Sequence, residues 1–432
     1  MGDTMARARA RHWPLSRHAQ GGREAGESVT EHDARHILLR LFQAAVDASD
    51  PVAAVRPFLP DRASVVVGAG KAALGMAKAV VEAMPEVGGV VVVPHCPLVP
   101  RQVGRISVLT AGHPVPDASS LEAARQVMAA VQALGADDLV LCLLSGGGSS
   151  LLALPPSGVT LEEKQAVTRA LLASGATIQE MNCVRRHLSA IKGGRLAKAA
   201  QPAKVLTLAI SDVPGDDPVT IASGPTVQDP TTVQDAMDVL RRYGICAPEQ
   251  AMTEAPPVTN SEYRVVACAA TALQAAARLA RAEGFETIIL SDRLGGEARE
   301  VGRRLAHMAL SLRPKRPTVI LSGGETEVTV RGNGRGGRNT ELALAAALEL
   351  LGAPGVFLLS ADTDGVDGNS GGAGAFAGPS TLSRARAAGL DGLASLANND
   401  SGGFFDAISD LIVTGPTGTN VSDFRAFLVC PS

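Results

Sequence analysis

Ser322-Gly-Gly-Glu-Thr326, closely followed by Arg331-Gly-Asn-Gly-Arg-Gly-Gly-Arg-Asn-Thr-Glu341, is the densest grouping of chemistry in the chain. Glycines let backbone N–H groups approach an anion, and a helix start adds positive potential. Guanidinium forks fit phosphate or carboxylate. The chemistry is therefore anion binding, with phosphate as the expected occupant. Arg338 is nearest the helix start expected at about Gly337, so it carries the assignment. Arg331 and Arg335 take supporting or solvated roles.

Four further groups could act with it. Gly68-Ala-Gly-Lys71 stands at a strand-to-helix turn, where an ammonium can hold a carboxylate or a transferring phosphoryl group. The alternative is a surface lysine on a tight turn. A dinucleotide fingerprint would need glycine where Ala73 stands and an acid where Pro94-His95 ends the next strand. Ser145-Gly-Gly-Gly-Ser-Ser150 offers amides and hydroxyls for an oxyanion, but it lacks the Gly-x-Ser-x-Gly elbow of a nucleophile. Among the acids Asp212, Asp216, Asp217, Asp362, Asp364 and Asp367, Asp212 and Asp364 are the candidates for a base or a Mg²⁺ ligand. Several of the others suit turns. Asn182 and Arg185 share a helix face and could grip a small carboxylate; Arg186 and Lys192 lie nearby. An ordinary salt-bridged face is the alternative.

These groups need elements to hold them. Short apolar runs alternate with helical patterns, which predicts an α/β fold with open, mostly parallel sheets. Ligands in such sheets lie beyond the strands' carboxyl ends. The runs are followed by Gly-Ala-Gly-Lys71, Ser145-Gly-Gly-Gly, Ser211-Asp212, Ser291-Asp292, Ser322-Gly-Gly-Glu325 and Ser360-Ala-Asp362. Leu144-Ser-Gly-Gly and Leu321-Ser-Gly-Gly nearly repeat, one in each half. Two lobes whose strand ends face a shared cleft are expected, with Tyr263–Leu290 as a βαβ unit. The expected limits are a disordered or non-native tail at 1–30, an N-terminal domain at 31–312 and a C-terminal domain at 316–432. Thr30-Glu-His-Asp33 looks like the cap of the first helix.

Composition narrows the function classes. A chain of 432 residues, 46% hydrophobic but only 3% aromatic, builds its core from Ala, Val and Leu, as buried parallel strands do. A net charge of −3 argues against nucleic-acid binding. No apolar run is long enough for a membrane span. The six cysteines form no CxxC pair, which fits a reducing, cytoplasmic setting. Arginines crowd the first 24 residues without an apolar segment to make a signal peptide. Monomer and homodimer both remain open.

Taken together, the motifs resemble the class II glycerate kinase (glycerate 2-kinase, MOFRL) family. The resemblance spans about residues 34–430. It rests on Val67-Gly-Ala-Gly-Lys-Ala72, Ala111-Gly-His-Pro-Val-Pro-Asp117, Leu144 to Ser150, Asn182 to Arg195 and Ser211-Asp-Val-Pro-Gly-Asp-Asp217. It continues through Ser223-Gly-Pro-Thr226, Gly336-Gly-Arg-Asn-Thr-Glu341, Thr363-Asp-Gly365 and Thr414-Gly-Pro-Thr-Gly-Thr-Asn420. It implies two Rossmann-like α/β domains around a cleft and ATP-dependent phosphorylation of D-glycerate to 2-phosphoglycerate with Mg²⁺. The family's key lysine and arginine fall on Lys71 and Arg338. Asp362 stands where the family commonly has Gly, and Asn369-Ser-Gly-Gly372 also departs from its pattern. In-line phosphoryl transfer needs positioning and charge neutralisation. Lys71 and Arg338 would stabilise the transferring group, while Asp212 would orient or deprotonate the 2-hydroxyl. Gly70, Ser145, Gly146, Gly147, Gly148, Ser149, Asn182 and Arg185 would bind the substrate. Gly323, Gly324, Glu325, Thr326 and Asn339 would contact the nucleotide, and Asp212 and Asp364 the metal. The rival readings are an NAD(P)H-dependent hydroxypyruvate reductase and a non-catalytic sugar-acid sensor.

Overall fold

The computed structural model describes residues 29–431. The arginine-rich tail lies outside the described residues, apart from its last two positions.

Seven strands form the first sheet: β1 Val65–Ala69, β2 Gly88–Pro94, β3 Gln102–Val103, β4 Arg105–Ala111, β5 Leu139–Leu144, β6 Lys204–Ile210 and β7 Ser261–Ala267. Their order is β3-β4-β2-β1-β5-β6-β7, with every neighbouring pair parallel except β3 and β4. Val66, Val67, Leu141 and Leu143 are wholly buried, because helices cover both faces and a central parallel strand has no solvent side. Lys71, Ser145 and Asp212 thus stand just beyond the carboxyl ends of β1, β5 and β6, all at one edge.

The second sheet contains β8 Glu286–Ser291, β10 Thr318–Gly324, β12 Val356–Asp362, β13 Gly374–Ala377, β14 Leu411–Ile412 and β15 Asp423–Val429. A two-stranded patch pairs β9 Gly296–Glu297 with β11 Thr326–Glu327. The α/β class is as expected, but this sheet is mixed, in the order β14-β13-β12-β15-β10-β8. Only β8 and β10 are parallel neighbours. The C-terminal strand β15 inserts antiparallel between β10 and β12. Its first residue, Asp423, is therefore in register with Gly324 at the end of β10 and with Asp362 at the end of β12.

The sheets do not follow the expected domain limits. The βαβ unit expected over Tyr263–Leu290 is split, since β7 edges the first sheet and β8 the second. The intervening helix Ala269–Ala282 crosses between them. The helix Glu31–Asp47 starts at an N-cap, where Thr30 Oγ1 accepts from the Asp33 amide at 3.2 Å. It packs on Ala269–Ala282, β12 and β15, although it stands at the other end of the sequence. Phe42 meets Phe424 at 5.7 Å between ring centroids. Its wholly buried leucines, Leu38 and Leu41, each contribute about 1.5–3 kcal/mol by leaving water. One apolar cluster joins Val66 and Leu143 of the first sheet to Val319, Leu359 and Leu428 of the second. The two sheets therefore share a core.

Candidate active site

Both sheets deliver their strand ends to one cavity of about 660 Å³. Lys71, His113, Gly147 and Asp212 line it from the first sheet, and Glu325, Thr326, Arg338, Asp362, Asp364 and Asn420 from the second.

The first wall is an interlock of two glycine turns. The Lys71 amide donates to the Gly146 carbonyl at 2.9 Å, and the Ser145 amide to the Ala69 carbonyl at 3.1 Å. Ser145 Oγ accepts from the Ala72 amide at 3.0 Å. Gly70 has φ +139°, and a Cβ there would stand 2.1 Å from Ser145 Oγ, so only glycine fits. A Cβ on Gly146 would stand 1.9 Å from Asp212 Oδ2. Gly70, Ser145, Gly146 and Gly148 therefore build the wall by close packing, and of the expected substrate loop only Gly147 lines the cavity.

Asn182 and Arg185 lie on the helix Ile178–His187, away from the cavity lining. Asn182 is buried. Arg185 has no acidic partner among the described residues, and burial lowers its pKa. Lys192 is buried behind the loop, with Nζ donating to the carbonyls of Ser149 at 2.7 Å and Leu152 at 3.0 Å. Ser149 Oγ bonds Ser223 Oγ at 2.8 Å.

The second wall centres on Arg338. Its Nε donates to Asp423 Oδ1 at 2.7 Å, Nη2 to Asp362 Oδ2 at 2.6 Å and Nη1 to Glu325. Burial works against this charge, but Asp423, Asp362 and Glu325 outweigh it and raise the arginine's pKa further. Asp362 is raised well above the carboxylate range, first by burial; Arg338 opposes this, and the nearby Asp423 and Asp364 add to it. Asp423 is a hub that sequence reasoning missed. It also accepts from Asn339 Nδ2 at 2.7 Å, from the Thr326 amide at 3.2 Å and from the wholly buried Arg425. The expectation looked only beyond the carboxyl ends of strands, and Asp423 begins one.

Three nucleotide assignments meet a different environment. Gly323 and Gly324 lie inside β10 and outside the cavity lining. A Cβ on Gly324, at φ +105°, would stand 2.3 Å from the Leu294 amide nitrogen, so this glycine serves chain crossing. Asn339 is fully buried between Asp423 and Ser360, the latter at 2.7 Å. The helix Arg338–Leu350 does begin where expected, but its first amides are already used. Asp367 accepts from the amides of Asn339 and Thr340, each at 2.9 Å, and burial raises its own pKa to about 6. The expected phosphate site at this helix start is thus filled by a carboxylate, and Arg338 reaches the cavity by its side chain. Arg335 pairs with Asp406 at 2.6 Å.

Lys71 Nζ crosses the cleft to Asp364 Oδ2 at 2.8 Å. Burial lowers the lysine's pKa, but Asp364 outweighs burial and leaves it raised. Asp212 Oδ2 accepts from Asn420 Nδ2 at 3.2 Å, and its carbonyl from Ser422 Oγ at 2.6 Å, so the segment before β15 holds it. Burial, then Glu325, raise its pKa to about 6. His113, in the Ala111–Asp117 motif after β4, was not singled out as a site residue. It could have been, because it also follows a strand.

Residues 37–255 match the family model described as a domain of unknown function, DUF4147, and residues 318–423 match the MOFRL family. A protein of Agrobacterium vitis, provisionally described as a hydroxypyruvate reductase, is 54% identical over 92% of this chain and 94% of its own. The D-glycerate 2-kinase of Thermotoga maritima is 43% identical, over 91% of this chain and 98% of its own. A crystal structure of glycerate kinase from Thermotoga maritima superposes with a TM-score of 0.87 at 41% identity, covering 92% of this chain and all of that one.

Proposed function

The chain belongs to the class II glycerate kinase (MOFRL) family, and from that premise we propose that it transfers the γ-phosphoryl group of ATP to the 2-hydroxyl of D-glycerate. The observation that carries this reading is Lys71 and Arg338, brought from different sheets to one acid-lined cleft. Neither cation is free without ligand. Lys71 is matched by Asp364, and Arg338 by three carboxylates. An incoming phosphate exchanges with these partners, and the polar cleft holds the cations ready for charge that develops during transfer.

Carboxylates outnumber cations in a cleft that must receive two anionic substrates, a balance that suits a divalent cation. This fits Mg²⁺, which takes one or two carboxylates and completes its shell with phosphate oxygens and water. Asp212 and Asp364 would hold it, and it would neutralise phosphate charge. Asp212 also orients the acceptor, because Asn420 and Gly146 fix its carboxylate. Glu325 and Thr326 border the nucleotide side. Gly147 borders the glycerate carboxylate, and Arg185 supplies an uncompensated positive field behind the loop. Near-attack positioning of this kind accounts for much of phosphoryl-transfer catalysis. Among the described residues no helix is long and apolar enough to cross a membrane; a cytoplasmic site of action is part of the proposal.

Phosphorus NMR of the product from D-glycerate, ATP and Mg²⁺ tests this reading, with 2-phosphoglycerate expected. Hydroxypyruvate-dependent NADH loss with no glycerate-dependent ADP release would overturn it in favour of a reductase.

A further inference from the structure

His113 stands in the cleft with a hydrogen-bond pattern that leaves one nitrogen unused. Ser150 Oγ donates its single proton to the Gly147 carbonyl at 3.0 Å, since a carbonyl can only accept. The same Oγ lies 2.8 Å from His113 Nδ1, and with its proton on the carbonyl it accepts there. With the hydroxyl so oriented, Nδ1 carries the proton in the neutral ring and Nε2 presents a lone pair. Among the described residues no side chain or carbonyl bonds Nε2. The ring lies against Gly147, where a Cβ would stand 3.1 Å from its Cε1, so the absence of a side chain at this position gives the imidazole its place.

From this geometry we propose that His113 Nε2 accepts the proton of the attacking glycerate hydroxyl, and that Ser150 is a positioning residue that fixes the tautomer. The proposal rests on the kinase reading for its substrate. The hydroxyl oxygen forms a bond to the γ-phosphorus, and the bond from that phosphorus to the β-bridging oxygen breaks with its electron pair leaving on ADP. The hydroxyl proton passes to Nε2, which becomes imidazolium. Asp212 is less suited to this step, because the kinase reading gives its carboxylate to the metal and to orienting the acceptor, and Asn420 holds its Oδ2. The charged groups acting on the ring are Lys71 from the end of β1 and Asp364 from the end of β12. Burial and then Lys71 lower the histidine's pKa, while Asp364 opposes them, so the ring is neutral and able to accept at pH 7.

The experiment uses the full chain with D-glycerate, ATP and Mg²⁺. His113→Asn retains a group at the Nδ1 position but none at Nε2. It is expected to lower kcat about 10²-fold or more, the scale of a lost general base, with the KM for ATP unchanged. The part of the acid-side fall in wild-type kcat that comes from protonating this histidine should be absent in the variant. Imidazole in the buffer should partly restore turnover to His113→Ala, which a purely structural histidine would not allow. Ser150→Ala should lower kcat about 10-fold by releasing the tautomer. ¹⁵N NMR of the histidine ring should show a protonated Nδ1 and a bare Nε2 whose shift moves on adding D-glycerate alone. A protonated Nε2 in the free protein, or wild-type kcat in His113→Asn, overturns the proposal. If no glycerate-dependent turnover exists, the kinase reading falls, and the NMR titration alone decides: movement of Nε2 supports its contact with the hydroxy acid, and none overturns it.

Discussion

Replacing Asp423 by Asn separates the hub at the start of β15 from its neighbours at almost constant volume. The carboxylate pairs with Arg425, and both side chains are completely buried. Among the described residues Arg425 keeps only the Gly323 carbonyl and Thr326 Oγ1, each at 3.2 Å, and its Nε already has no partner. Removing one member of a buried pair costs about 3–5 kcal/mol, because the other charge stays buried. Coulomb's law gives the same scale: unit charges about 4 Å apart at an effective dielectric of about 20 interact by about 4 kcal/mol. Arg338 loses less, since it is partly exposed and retains Asp362 and Glu325. Asp423→Asn should therefore destabilise the protein by about 3–5 kcal/mol. Urea titration followed by circular dichroism and by proteolysis measures this, provided the two transitions coincide. Adding Arg425→Met should recover much of the loss, because no orphan charge then remains. A single-variant loss below about 1 kcal/mol at unchanged m-value would refute the reasoning, as that is the scale of an exposed ion pair.

Lys71→Ala and Arg338→Ala should each lower kcat about 10²-fold or more, the effect of losing a transition-state charge partner; steady-state kinetics with D-glycerate checks this, and full activity in either variant sinks the assignment. Gly146→Ala should abolish most activity while leaving the fold's circular dichroism intact, because its Cβ would displace Asp212, with which it would overlap at 1.9 Å. Burial raises Asp212 and Asp367 to about 6, so the folded state binds their protons more tightly than the unfolded chain does. Their favourable contribution is complete below about pH 4 and lost as pH rises through about 6. Urea midpoints of the ligand-free protein should therefore rise from pH 7 to pH 5, and Asp212→Asn should flatten that slope.

Much of the site was legible because strand ends advertise themselves. An apolar run followed by small polar residues placed Lys71, Gly147, Asp212, Glu325 and Asp364 around one cleft, and each lines it. The α/β class and the start of the helix at Arg338 followed from hydrophobic period and glycine placement. The functions of particular backbone groups were less legible. A glycine that admits phosphate and a glycine that admits a neighbouring chain look identical in sequence, so Gly70 and Gly324 read as ligands where the structure shows a neighbouring segment packed against each. The helix start at Arg338 looked free to bind an anion, yet Asp367, distant in sequence, caps it.

By itself, then, the sequence determined the element types, the strand-end groups and the family, because these are written in local period and residue type. Only the tertiary structure decided how the charges pair. The antiparallel insertion of β15 sets Asp423 beside both Gly324 and Asp362, and so anchors Arg338. The crossing of Ala269–Ala282, with Glu31–Asp47 packed on the second sheet, joins the lobes through one core. Such pairings depend on strand order and on contacts hundreds of residues apart, and neither leaves a local signature in the chain.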